Sequence, residues 1–189
     1  IDPVVTTPYE SAKRKQAVFI FSRIAKVEMY KGHQELIVAW HEVVEKCSEA
    51  ELWIGGKGDG LPILEKLVAT LPKHVAKQIH LLGYLDDHEQ HQRFQECRAF
   101  AMPSRGEGFG LVFVEAARYG IPCIGSLHDS VKEIVLHNET GLLVEQDSHS
   151  IAQACNRLLT DNTLANQLGE AGRQRYLGNF QFHHFQERF

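Results

Sequence analysis

The chain has 189 residues, 43% of them hydrophobic, enough for one well-cored domain and too few for two full α/β domains. Its 20 basic and 24 acidic residues leave a net charge of −4, with Lys and Arg scattered rather than clustered, so no electrostatic case exists for nucleic acid as a partner. No run approaches the ~20 apolar residues that span a bilayer, and the opening IDPVVTTPYE has neither a charged n-region nor an apolar h-region, so a soluble piece is expected.

Residues 1–16 carry Pro3, Pro8, adjacent threonines and a charge run, the profile of a leading linker in which Lys13, Arg14 and Lys15 are solvated. The missing initiator methionine points to a fragment of a longer product. A folded domain is expected over 17–189. Residues 18–21 read as a strand, followed by a helix over 32–46. A strand over 52–54 leads to a helix over 61–71, one over 79–82 to a helix over 87–97, and one over 99–102 to a helix over 111–119. Residues 123–125 precede a short helix near 131–137, and 142–144 precede helices from 148 to the end. About six short strands separated by helices predict an α/β fold, a Rossmann-like parallel sheet covered on both faces. Right-handed crossovers then place ligands at the carboxyl ends of the strands. Those ends carry Ser22-Arg23, the tract from Gly55 to Gly60, Gly83 to Leu85, Ser104 to Gly110 and Ser126 to Asp129, all expected along one edge.

Cys47, Cys97, Cys123 and Cys155 are widely spaced with no C-x-x-C pair, so reduced core thiols are expected. His88 and His91 lie one helical turn apart, but no third ligand stands out, and they read as a polar helix face; no metal is expected.

The stretch PSRGEGFGLVFVEAARYG, residues 103–120, holds the candidate chemistry. Glu107 sits among Gly106, Gly108 and Gly110, which let a backbone approach a ligand closely, although a lone loop carboxylate is more often simply solvated. Glu115 is surrounded by Leu111, Val112, Phe113, Val114, Ala116 and Ala117, so the helix is expected to be buried and its carboxylate to need a partner. An ion pair or a backbone contact would serve structurally; a ligand hydroxyl would serve functionally. The start of this helix is a ready anion site.

At these residues the chain resembles the retaining glycosyltransferases of family 4, whose signature is two glutamates with seven residues between them in a P-S-x-x-E-G-F-G-L-x-x-x-E-A context, as Glu107 and Glu115 are here. The resemblance extends to Ser22-Arg23, Tyr30-Lys31-Gly32-His33, the tract from Gly55 to Gly60, Gly83-Tyr84, Gly120-Ile121-Pro122 and Glu139-Thr140-Gly141-Leu142-Leu143-Val144. Ser22 departs from the commoner glycine, and the interval from Ile24 to Tyr30 is longer than in many members.

The resemblance implies the C-terminal, donor-binding half of a GT-B fold, with an N-terminal acceptor domain absent. It implies transfer of a hexose from a nucleoside diphosphate sugar to a glycan or lipid-linked acceptor, without a cofactor or required metal. Arg23, Lys31, Gly110 and Leu111 would hold the donor diphosphate, and Glu115 the ribose. Glu107, as the catalytic carboxylate, would meet the transferred sugar together with Gly108, Phe109 and Gly110, while Tyr84 and Leu85 would lie beside the base. A cytoplasmic location is expected, with attachment to the inner face of the membrane only through the absent half.

Other readings compete. A dinucleotide fingerprint fails because the tract from Gly56 to Leu61 misses its third glycine, and the expected ribose acid is missing near Leu81-Leu82-Gly83. No G-x-x-x-x-G-K-[ST] is present, which removes a P-loop ATPase. A sugar-nucleotide epimerase of GT-B architecture is disfavoured by the paired glutamates, whereas a non-catalytic sugar-nucleotide binding module stays open.

Overall fold

A computed structural model describes residues 14–180, apart from Glu107, Asp129 and the Met29 side chain. Its strands are β1 (Ala17–Phe21), β2 (Glu51–Gly55), β3 (Ile79–Gly83), β4 (Ala99–Ala101), β5 (Cys123–Ser126) and β6 (Gly141–Val144). They form one sheet of order β3-β2-β1-β4-β5-β6 with every pairing parallel. Sequences such as AVFIF and GLLV are apolar without alternation, as strands covered on both faces require.

The helices are α1 (His33–Lys46), α2 (Leu61–Ala69), α3 (Lys73–Ala76), α4 (Asp87–Glu96), α5 (Leu111–Arg118), α6 (Ser148–Thr160) and α7 (Asn162–Asn179). One layer joins α1 to α2 and α6; on the other, α4 packs on β1 and α5 on α7. Aspartates start three of them. Asp86 and Glu89 form a reciprocal capping box at α4, and Asp147 and Asp161 accept from Ser150 N and Leu164 N at α6 and α7.

Phenylalanines hold the sheet to its second helix layer. The Phe19 ring lies 5.3 Å from Phe94 and 6.3 Å from Phe100 between centroids, Phe100 lies 5.4 Å from Phe113, and Phe94 stacks on Tyr119 at 5.6 Å. Strands β1 and β4 and helices α4 and α5, which together frame the site, thus share one aromatic cluster.

Two expectations about the chain path change. Residues 131–137 form only a single 3-10 turn, Ser130–Glu133. The chain then leaves the helix because Leu136 N donates to Thr140 Oγ1 and Asn138 takes a left-handed φ of 61°, a turn that delivers the chain to β6. The long interval before Lys31 contains a 3-10 segment, Lys26–Lys31. Arg14 is buried rather than solvated: its guanidinium donates to Tyr119 O at 2.7 Å and Gly120 O at 2.8 Å. Those carbonyls lie at the end of α5, where no following turn of helix supplies donors, and a cation at a helix C-terminus also meets its dipole favourably. Lys15 Nζ pairs with Glu96 Oε2 at 2.9 Å, so residues 14–16 belong to the fold. Residues 1–13 lie outside the described part.

Cys97, Cys123 and Cys155 are buried free thiols. Burial pushes Cys97 and Cys155 up to about 12 and raises Cys123 as well, which removes any thiolate chemistry. Phe180 packs on the core; Phe182, Phe185 and Phe189 lie outside the described residues.

Candidate functional site

The C-terminal ends of β1 to β4 and the start of α5 enclose a cavity of about 900 Å³. It opens where the strand order reverses between β1 and β4, and connections leading away on either side leave a crevice there. Phe21, Ser22 and Arg23 enter from β1, Gly56, Lys57 and Gly58 from β2, Tyr84 and Leu85 from β3, and Met102 from β4. Lys31 joins from the 3-10 segment, Gln90 from α4, and Phe109, Gly110, Leu111, Val112 and Glu115 from the loop and first turns of α5.

Close backbone packing fixes the cationic part of this wall. Ser22 N donates to Gly55 O at 3.2 Å, Ile24 N to Lys57 O at 3.0 Å, and Lys26 N to Asp59 Oδ1 at 2.9 Å. Gly56, at φ 137°, lies so near Ser22 that an added Cβ would come within 1.9 Å of the Ser22 carbonyl oxygen. The glycine tract therefore clamps the Arg23 loop. Arg23 itself has a side chain 71% exposed and, among the described residues, only a long 3.8 Å pair with Glu28. An ion pair of that kind restrains a guanidinium weakly. Tyr30 O accepts from Gln146 Nε2 at 2.6 Å and Arg105 N at 2.9 Å, which ties the Lys31 segment to the loop after β4.

Helix α5 begins at Gly110, which adopts a left-handed φ of 83° and leaves the first turn without a side-chain cap. Uncapped amides and the helix dipole make this end attractive to an anion. Arg23, Lys31 and Lys57 add positive charge around the same cavity. Lys57 Nζ sits 4.5 Å from the Tyr84 ring centroid, over an aromatic face that is 65% exposed.

Glu115 departs from the sequence expectation. Phe113, Val114, Ala116 and Ala117 face the core, whereas Leu111 and Glu115, one turn apart, face the cavity. The glutamate is thus exposed to the cavity rather than sunk in an apolar helix. It does have a partner: Gln90 Nε2 donates to Glu115 Oε2 at 3.1 Å. Desolvation at the cavity wall raises its pKa above the ordinary glutamate value, against the lowering effects of His91, the Gln90 hydrogen bond and Arg118, with Asp87 raising it further.

That shift has a consequence for stability. A carboxyl whose folded pKa is raised binds its proton more tightly in the native state, so its contribution is most favourable below the unfolded pKa and is lost as pH rises through the folded one. Glu115→Gln is therefore expected to gain stability relative to the parent chain on going from acid to neutral pH. Denaturant unfolding of both across that range checks this, and a constant difference would contradict it.

Arg23, Lys31, Gly110, Leu111, Glu115, Phe109, Tyr84 and Leu85, all singled out from sequence, meet at this one cavity. Gly108 does not line it, and its carbonyl accepts from Ser130 Oγ at 2.6 Å. Glu107 lies outside the described residues. After β5, Leu127 lines a separate cavity of about 260 Å³ instead, and Asp129 lies outside the described residues. Lys57 and Gln90 had no assigned role. Gln90 was legible in part, since it precedes the buried Phe94 by one turn and so shares its inward face.

The strand order, the switch-point cavity and its ring of cations beside an uncapped helix start define a Rossmann-like α/β domain suited to an anionic ligand. The identification is more particular than this. The profile of the family Glycosyl transferases group 1 matches residues 8–175, and the chain belongs to that family. It is 34% identical over 152 residues to a GDP-mannose-dependent alpha-(1-6)-phosphatidylinositol monomannoside mannosyltransferase of Mycobacterium tuberculosis, covering 76% of this chain and 39% of that protein. Among solved structures, Staphylococcus aureus TarM with fondaparinux, alpha-GlcNAc-glycerol and UDP superposes with a TM-score of 0.85 at 19% identity, covering all of this chain and 37% of that one. The C-terminal domain of a group 1 glycosyl transferase, LpcC, from Francisella tularensis superposes with a TM-score of 0.81 at 23% identity, covering 94% of this chain and 95% of that one. The fold is the C-terminal half of the GT-B architecture. The chain spans about two-fifths of the length of the curated relatives it matches.

Proposed function

We propose that this chain is the donor-binding domain of a retaining glycosyltransferase that transfers a hexose from a nucleoside diphosphate sugar to a glycan or lipid-linked acceptor. The observation that carries the reading is the convergence of Arg23, Lys31, the start of α5 and Glu115 on one cavity. A diphosphate leaving water needs its charge neutralised, and two cations with helix amides supply this without a metal. Glu115, already held by Gln90, presents a carboxylate to the ribose hydroxyls, and Tyr84 offers an exposed ring for the base. Glu107 is assigned to the transferred sugar on the paired-glutamate motif. The acceptor and the rest of the catalytic apparatus are assigned to a second domain.

The first test is calorimetric titration with UDP, GDP and ADP. One of these is expected to bind selectively. Arg23→Ala and Glu115→Ala are each expected to weaken binding by about 1.5–3 kcal/mol, as loss of a hydrogen bond to a charged group does. Arg23→Ala should weaken the diphosphate more than the matching nucleoside monophosphate, and Glu115→Ala should weaken both alike. Equal affinities for parent and variants, with the fold intact, would sink the assignment. GDP-mannose use by the mycobacterial relative and UDP in the TarM crystal show that the panel must include more than one base.

A further inference from the structure

His33, the first residue of α1, is fully buried. Its Nε2 lies 3.0 Å from Ser22 Oγ, while its equally buried Nδ1 has no hydrogen-bond partner among the described residues. Burial and then the nearby Lys31 charge hold its pKa down at about 4, so near neutral pH the ring carries one proton. The tautomer follows from what each choice leaves unpaired. A proton on Nδ1 would bury an N–H with no acceptor and make Nε2 take the serine hydroxyl proton. A proton on Nε2 is accepted by Ser22 Oγ and leaves only a lone pair at Nδ1. Orphaned buried N–H groups are the rarer and costlier case, which selects the Nε2–H form.

The consequence falls on Ser22. Its oxygen is occupied as an acceptor, and its own proton must go elsewhere. Within the chain the acceptor at hand is Arg23 O at 3.4 Å, the long limit for a hydroxyl donor. Ser22 also lines the cavity beside Arg23 and Lys31.

We propose that Ser22 donates its hydroxyl proton to a phosphate oxygen of the nucleoside diphosphate, and that His33 keeps this proton available by donating Nε2–H to Ser22 Oγ. The inference rests on the donor-site reading above. Ser22 is then a binding residue, and His33 a positioning residue that acts through it. The backbone amide at this position is already given to Gly55 O and a glycine there has no hydroxyl, so the Ser22–His33 pair adds a donor that such a chain lacks.

The test uses the 189-residue chain with UDP, GDP and ADP. Ser22→Ala is expected to lower affinity for the bound diphosphate about tenfold, the worth of a hydrogen bond to a charged acceptor, in a chain that still folds but unfolds at a lower midpoint because His33 Nε2–H loses its acceptor. His33→Leu should lose about the same, whereas His33→Gln, whose amide N–H can replace Nε2–H, should recover most of it. Nitrogen-15 spectra of the unliganded chain should show the His33 proton on Nε2. Parent-like affinity in Ser22→Ala, or a proton on Nδ1, would overturn the inference while leaving the donor reading standing. If the parent chain binds none of the three diphosphates, both fall together. Should His33→Leu fail to fold, Ser22→Ala and the spectra decide the matter.

Discussion

Gly56→Ala is expected to cost roughly 2–4 kcal/mol of stability and to abolish diphosphate binding in whatever fraction remains folded. At φ 137° the backbone is in a region that L-residues rarely adopt, and the new Cβ would stand 1.9 Å from the Ser22 carbonyl oxygen. Neither strain can relax alone. Moving Gly56 away breaks the hydrogen bond that its N–H donates to Gly83 O at 2.7 Å, and moving Ser22 displaces the Arg23 loop from the cavity. Gly83→Ala is the control. It too has a positive φ, 69°, but an added Cβ would meet nothing within 4 Å, so it should cost only about 1 kcal/mol. Chemical denaturation of both variants, with UDP, GDP and ADP titrations, separates the cases; equal costs would mean that conformational strain, not the clamp on Ser22, decides.

Phe19→Ala is expected to destabilise the domain by about 3–5 kcal/mol, the usual loss for a fully buried phenylalanine. The ring contacts Phe21, Phe94 and Phe100, so its removal opens a space shared by β1, β4 and α4. Those elements carry Arg23, Met102 and Gln90 to the cavity, which predicts weaker ligand binding even where the variant still folds. Phe19→Leu should cost less, since it keeps part of the volume. An unfolding midpoint for Phe19→Ala close to that of the parent would show that the cluster collapses around the gap, contrary to this account.

Much of the architecture was readable because it depends on local patterns. Apolar runs such as AVFIF and ELWIG have no alternation and must be covered on both faces, which implies a parallel sheet, and the loops at their C-terminal ends hold Arg23, Tyr84 and Gly110. The error at Glu115 has the same origin. Counting apolar neighbours in LVFVEAAR suggests a helix buried all round, but Leu111 is 64% exposed and lines the cavity beside the glutamate. Hydrophobicity records what a side chain tolerates, not which neighbour covers it.

The sequence by itself determined the number and kind of strands, the family and most of the cavity wall, because periodicity and motif order are properties of neighbouring residues. Only the tertiary structure decided that Arg14 ends α5, that Gln90 holds Glu115 across 25 positions and that His33 reaches Ser22. Each of these is a contact between residues distant in the chain. Its geometry is set by how strands and helices stack, which no local pattern encodes.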